Sequence, residues 1–232
     1  MVISTRILFW QFNFFLEYMK RMSKKILGNT TPSFDSNQQK LIRLAIFASG
    51  TGSNAQKIID HFRHHPFIKV QLVVSNKPNA GALNIAKQEH ILTLVIEKEK
   101  FIRGNGYVDE LRSVEIDLIV LAGFLWKLPP SLVSAWNHRI INIHPALLPK
   151  YGGKGLYGHH VHEAVINAGE KESGITIHYV DEIYDHGAPI FQEKVVVEEN
   201  DSPETLAKKV QALEHLHFPR VIEEVATGLS KS

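Results

Sequence analysis

Short apolar runs and helix-spaced runs alternate along most of this chain. "LAIFAS" (44–49) is a continuous apolar run that ends at Gly50. "NAQKIIDHF" (54–62) then spaces its apolar residues along one helix face. "KVQLVVS" (69–75) and "ILTLVIE" (91–97) are β-branched and read as strands, with "AGALNIAKQE" (80–89) as the helix between them. "YVDELRSV" (107–114) predicts a further helix, and "DLIVLAG" (117–123) and "RIINIH" (139–144) two buried strands. This alternation predicts βαβ units and an α/β fold with a doubly wound, mostly parallel sheet.

The pattern changes after residue 144. "HHVHEAVINAGE" (159–170) predicts a helix stopped by Gly169. "SGITIHYVDE" (173–182) and "APIFQEKVVVE" (188–198) both alternate, with a turn-rich stretch between them, and predict antiparallel strands at one sheet edge. Residues 201–226 predict a long helix or a helix pair, with Ser202 as N-cap, Pro203 at the first helical position and Pro219 as an interruption.

Residues 1–40 stand apart. "ILFWQFNFFLEYM" (7–19) is apolar but carries Gln11, Asn13 and Glu17, and it is too short and too polar to span a bilayer. Arg6 precedes it as in a signal peptide, but no small-residue cleavage site follows. The reading preferred is a flexible or mis-started extension, with translation beginning at Met22, followed by one domain over 41–228. Residues 1–43 hold seven Lys/Arg against Glu17 and Asp35, a net +5, so the remainder sums to −3. A body of that sign gives no reason to expect a nucleic-acid partner. There is no cysteine, which excludes disulfides and a thiol nucleophile and fits a reducing, cytoplasmic setting. No membrane partner is expected, and the oligomeric state is not legible.

Candidate chemistry gathers where strands end. "SGTGSNA" (49–55) joins the first strand to the first helix, where glycines let a ligand approach and free helix N–H groups face an anion. Gly50, Gly52 and Ala55 satisfy G-x-G-x-x-A, but the second strand ends in "VVSNK" (73–77), with Asn76 where a dinucleotide site wants an acid. Side-chain donors at Ser53 and Asn54 suit a terminal monophosphate. A tight βα turn capped by Ser53 or Asn54 fits the loop equally well.

"INIHPALLPKYGGKG" (141–155) places Asn142 and His144 on one strand face and Ile141 and Ile143 on the other. An amide beside a protonatable imidazole can hold a developing oxyanion. Neither is an obvious nucleophile, so the nucleophile would come from substrate. A third group to tune His144 is available in "DEIYDHGAPI" (181–190), which offers Asp181, Glu182 and Asp185. "GFLWKLPP" (123–130) is more apolar than a loop requires, and reads either as a core-covering turn or as a slot for a flat aromatic ligand. His159, His160 and His162 have H-x-H spacing but no H-E-x-x-H, and surface helix histidines are favoured over a metal site. No G-x-S-x-G elbow occurs.

"FASGTGSNAQKIID", "LAGFLWKL", "INIHPALLPKYGGKG", "GITIHYVDEIYDHGAPI" and "QALEHLHFP" occur in the order seen in the phosphoribosylglycinamide formyltransferases, a branch of the folate-dependent formyltransferases. The resemblance covers roughly residues 42–226. It implies a formyltransferase fold and transfer of formyl from 10-formyltetrahydrofolate to the amine of glycinamide ribonucleotide, without metal. It implies catalytic roles for Asn142, His144 and Asp185, and substrate binding by Gly52, Ser53, Asn54, Gln211 and Glu214. It implies folate binding by Phe124, Leu125, Trp126, Lys127, Leu128, Asn142, Asp181 and Glu182. Arg103 is matched to a folate-contacting arginine that the family carries near "FIRGNGY" (101–107). The 150–162 loop is longer than the form familiar in the family. Two rivals remain open: another folate formyl enzyme, such as a formyltetrahydrofolate hydrolase, and a non-catalytic nucleotide-binding module.

Overall fold

The computed structural model describes residues 39–231, so the readings made for 1–38 lie outside the described residues. Seven strands form one sheet: β1 Ile42–Phe47, β2 Ile68–Ser75, β3 Leu92–Val95, β4 Leu118–Leu121, β5 Ile140–His144, β6 Glu172–Tyr179 and β7 Pro189–Val196. Their order is β3-β2-β1-β4-β5-β6-β7. Pairing is parallel from β3 through β5 and antiparallel for β5–β6 and β6–β7, as the alternating late segments predict. The continuous apolar runs have a direct cause. β4 is buried at every position and β1 at all but Arg43, because helices and loops cover both faces of the sheet centre.

Seven helices follow among the described residues: α1 Ser53–Phe62, α2 Gly81–Gln88, α3 Lys98–Arg103, α4 Val108–Ser113, α5 Pro130–Ala135, α6 His159–Asn167 and α7 Pro203–Ser230. One core face joins Ile42, Leu44 and Ile46 of β1 to Ile141 and Ile143 of β5, Ile175 and Ile177 of β6, and Leu206, Val210 and Phe218 of α7. Side chains alternate across a strand, so Asn142, His144, Thr176 and His178 share the opposite face.

Two short helices are additions to the predicted pattern. α3 and α5 have six residues each, too few to show a period, and α5 announces itself only by Pro130 at its first position. One expectation is corrected. Pro219 does not interrupt: α7 runs unbroken for 28 residues. The proline forgoes one helix bond, but Phe218, Pro219, Val221 and Ile222 are all buried, and this packing holds the helix through it. The start of α7 is as predicted, with Ser202 Oγ accepting the Thr205 N–H and Thr205 Oγ1 accepting the Ser202 N–H.

The chain turns from β1 toward β2 on one side and β4 on the other, so the crevice of this sheet lies over the carboxyl ends of β1 and β4. Ser49 ties three loops together there. Its N–H donates to Gly123 O at 3.0 Å, its Oγ donates to Asn76 Oδ1 at 2.7 Å, and it accepts the Leu125 N–H at 3.0 Å. Asn76 is therefore a structural partner of Ser49.

Candidate active site

The loop after β1 starts from a glycine requirement. Gly52 has φ +87°, and a Cβ there would sit 2.6 Å from Ala82 Cα. A glycine lets α1 begin hard against α2. Gly52 is also the N-cap of α1, and no side chain caps the helix, so Ser53 and Asn54 are not the caps that one reading expected. Their side chains reach across to α7 instead. Gln211 Nε2 donates to Ser53 Oγ at 3.2 Å, and Asn54 Nδ2 donates to Glu214 Oε2 at 2.8 Å. All five residues expected to hold a ribonucleotide thus meet between two helices. Burial pushes the Glu214 carboxyl up, against the pull of its bond from Asn54. A half-buried carboxylate with one donor can accept hydroxyls from a ligand.

Asn142 and His144 occupy the last turn of β5. β6 is their antiparallel partner, with Asn142 opposite His178 and His144 opposite Thr176. Asn142 Nδ2 donates to His178 Nε2 at 3.1 Å, and His178 Nδ1 donates to Tyr179 O at 2.8 Å. This assignment needs a neutral His178, and burial pushes that imidazole pKa down. One N–H of the Asn142 amide is thereby held and the other is left for a ligand. Thr176 Oγ1 donates to Ala146 O at 2.7 Å and accepts the Leu148 N–H at 3.0 Å, which fixes the turn after His144.

His144 is only 4% exposed. Its Nε2 donates to Tyr151 O at 2.8 Å, so Nδ1 is the edge left for chemistry. Asp185 lies at that edge, with Oδ2 3.7 Å from His144 Nδ1 and Oδ1 3.7 Å from His178 Nε2. Asp185 has φ +53°, and its Oδ2 accepts the Gly153 N–H at 2.9 Å. The loop 151–153 therefore clamps both partners, one through a carbonyl and the other through an N–H. A separation of 3.7 Å is a charge contact, which can tighten to a hydrogen bond when substrate fills the site.

The loop after β4 builds a cleft lined by Leu125–Pro130 with Lys98, Ile102 and Tyr184. Leu125, Trp126, Lys127 and Leu128 are thus brought together. Phe124 packs edge-on against Phe47 at 5.3 Å and Phe101 at 5.8 Å, as a cover for the core. Asp181 faces outward, with Oδ2 2.9 Å from His186 Nδ1, and Glu182 is exposed. Arg103 is not brought to the cleft lining. It is 81% exposed and paired with Glu99 at 3.3 Å, while its neighbour Ile102 lines the cleft.

His159 and His160 lie on the surface beside Glu163, as expected of helix histidines. His162 does not: it is 5% exposed, and its Nδ1 is buried without a hydrogen-bond partner. No cluster of metal-ligating side chains occurs among the described residues. Burial, then the charges of His159 and His144, push the His162 pKa down to about 4. The unfolded chain therefore takes up a proton between the ordinary value of 6.5 and about 4 that the folded chain refuses. The stability this group contributes is complete above the upper value and drains away as pH falls through that window. Thermal melts of His162→Gln are expected to show a flatter loss of Tm across the window than the native chain. Parallel slopes would remove His162 as the cause.

Tyr151 and Ser49 are site residues that the sequence reading does not single out, and the partnership of His178 with Asn142 is one that it does not predict. His178 had a visible signal, since Thr176 and His178 repeat on β6 the two-residue polar spacing of Asn142 and His144.

The family model "Formyl transferase" matches residues 42–222. The chain is 43% identical over 193 residues to the chloroplastic phosphoribosylglycinamide formyltransferase of Arabidopsis thaliana, covering 81% of this chain and 66% of that one. It is 41% identical over 219 residues to the trifunctional purine biosynthetic protein adenosine-3 of Drosophila melanogaster, covering 90% of this chain and 16% of that one. The chain thus spans just under two thirds of the plant relative and a small part of the insect one. The crystal structure of phosphoribosylglycinamide formyltransferase from Bacillus halodurans superposes with a TM-score of 0.72 at 39% identity, covering 82% of this chain and 96% of that one. With the family match running from the first strand into the last helix, and the fold shared with solved relatives, this chain belongs to the formyl transferase family.

Proposed function

We propose that this chain transfers the formyl group of 10-formyltetrahydrofolate to the amine of glycinamide ribonucleotide, a step of purine biosynthesis. The observations that carry the reading are the pairing of Asp185 with His144, two residues from Asn142 on β5, and a glycine loop that joins Ser53 and Asn54 to Gln211 and Glu214. Both partners are small molecules. The reaction is placed in the cytoplasm on composition alone; no helix among the described residues is long and apolar enough to cross a membrane.

In this scheme the phosphate sits on Ser53, Asn54 and the free N–H groups at the start of α1. Gln211 and Glu214 hold the ribose side. The glycine amine attacks the formyl carbon, and the carbonyl electron pair moves onto oxygen. The free N–H of Asn142 and the Nδ1 edge of His144 stabilise that oxyanion. Asp185 stabilises the positive charge that His144 carries and takes the proton the amine loses. The bond to the folate nitrogen then breaks, and that nitrogen is protonated through His144. The cleft of Leu125–Leu128 and Tyr184 holds the folate.

Calorimetric titration tests the substrate half of this reading. Glycinamide ribonucleotide is expected to bind about 100-fold more tightly than the same riboside without its phosphate, since several charge-assisted bonds are lost together. Equal affinity for the two would refute the phosphate assignment.

A further inference from the structure

Glu170 takes no part in the chemistry above, yet it is built into place. α6 ends in a left-handed glycine: Gly169 has φ +65°, its N–H donates to Ile166 O at 3.0 Å, and the Glu170 N–H donates to Val165 O at 3.3 Å. Val165 is buried in the core, so the backbone of Glu170 is moored to a packed helix end. Its side chain then reaches the loop after β5. Glu170 Oε1 accepts the Tyr151 hydroxyl at 2.9 Å and the Lys150 ammonium at 2.9 Å. The Lys150 bond, and after it the Tyr151 bond, hold the Glu170 carboxyl below its ordinary value. Burial, and after it the bond to Glu170, push the Tyr151 phenol up. At neutral pH the pair is therefore a carboxylate accepting from a phenol, a charge-assisted bond.

Tyr151 is also the residue whose carbonyl accepts the His144 Nε2–H at 2.8 Å, and Gly153, two residues on, donates to Asp185. Its backbone needs holding. Tyr151 has φ +58°, a left-handed conformation that a residue with a side chain rarely adopts and that persists only where its surroundings fix it. The ring packs against the buried core, and the hydroxyl is tied to Glu170. A run of bonds thus leads from a helix end through one tyrosine to the imidazole. We infer that Glu170 is a positioning residue for the proposed formyl transfer: through the Tyr151 hydroxyl it holds the loop that keeps the His144 Nε2–H on the Tyr151 carbonyl and turns Nδ1 toward Asp185. The inference rests on the formyl-transfer reading for the reaction, and on geometry alone for the orientation of the imidazole.

Tyr151→Phe is the sharpest probe, since it keeps the ring and removes only the hydroxyl. It is expected to lower kcat by about tenfold, as a small misplacement of His144 would, with the ribonucleotide KM held within about twofold. Glu170→Ala should lose as much, and the double variant no more than either alone, because both changes break one link. Glu170→Gln, whose amide oxygen still accepts the hydroxyl, should retain most of the activity. Lys194→Ala breaks an exposed ion pair with Glu172 and should lose nothing. NMR of the full chain carrying isotope-labelled histidine reads the orientation without turnover. The His144 Nε2–H, assigned by its absence in His144→Ala, should exchange with solvent about tenfold faster in Tyr151→Phe and Glu170→Ala than in the native chain and Glu170→Gln. Native kcat, or native exchange, in Tyr151→Phe would overturn the inference. So would additive losses in the double variant, or a KM that rises in step with the fall in kcat. If the native chain transfers no formyl group, the transferase reading falls alone, and the exchange rates still decide whether Glu170 orients His144.

Discussion

His144→Ala is expected to lower kcat by about a thousandfold, the combined worth of a positioned acid–base group and an oxyanion donor. The reason is geometric. His144 is the one imidazole at this end of β5 with Nε2 held on the Tyr151 carbonyl and Nδ1 facing Asp185. Removing it leaves Asp185 with the Gly153 N–H and the edge of a neutral His178, and no cation at the reacting oxygen. The ribonucleotide groups on α1 and α7 do not touch His144, so the ribonucleotide KM should stay within about threefold, the signature of an interaction made only in the transition state. Steady-state kinetics with purified variant and native chains would check both numbers. A kcat near the native value would remove His144 from the chemistry. Equal losses in kcat and ribonucleotide affinity would point to a damaged fold.

Gly52→Ala is the second large effect, and it acts on the other half of the site. The residue has φ +87°, where an L side chain is strained, and the new Cβ would meet the backbone of Ala82 at 2.6 Å. Relief requires α1 and α2 to separate, which displaces Ser53 and Asn54 from Gln211 and Glu214. A stability loss of about 2–3 kcal/mol is expected from the strain and the lost packing together. Ribonucleotide affinity should fall by about tenfold or more, since oriented N–H donors at the helix start are lost, while the folate cleft beyond β4 is untouched. Thermal denaturation paired with separate titrations of the two ligands would test this. An unchanged ribonucleotide affinity in a destabilised variant would show that the loop holds the fold but not the ligand.

The fold was legible where burial dictates sequence. β1 and β4 lie inside the sheet, so their apolar runs stand out, and the alternating β7 forms its edge, where one face is wetter, whereas β6 alternates in sequence but is buried on both faces. The six-residue α3 and α5 left no period to read. Pro219 misled because helix chemistry is local, whereas the packing that overrides it comes from the sheet. In the site, Asn142 and His144 were visible as a polar pair on a buried strand. Their partners were not equally so. His178 meets Asn142 only through the antiparallel register of β5 and β6. The bonds from Ser53 and Asn54 span 158 and 160 residues of chain. The resemblance names Ser53, Asn54, Gln211 and Glu214 for one ligand, and the folded geometry pairs them. His162 shows the converse. Its neighbours His159 and His160 are solvated, but α6 turns Val161, His162 and Val165 inward, and no spacing in "HHVH" says which histidine faces the core.

The central claim is that these groups move a formyl group onto the ribonucleotide amine. Spectrophotometric assay of folate deformylation by the purified chain, with and without glycinamide ribonucleotide, tests it most directly. The account predicts turnover that requires the ribonucleotide and yields its N-formyl product in step with the folate consumed. Deformylation at the same rate without the ribonucleotide, releasing formate, would contradict it and make the chain a hydrolase. No deformylation by folded protein would contradict it as well, and would leave a nucleotide-binding module.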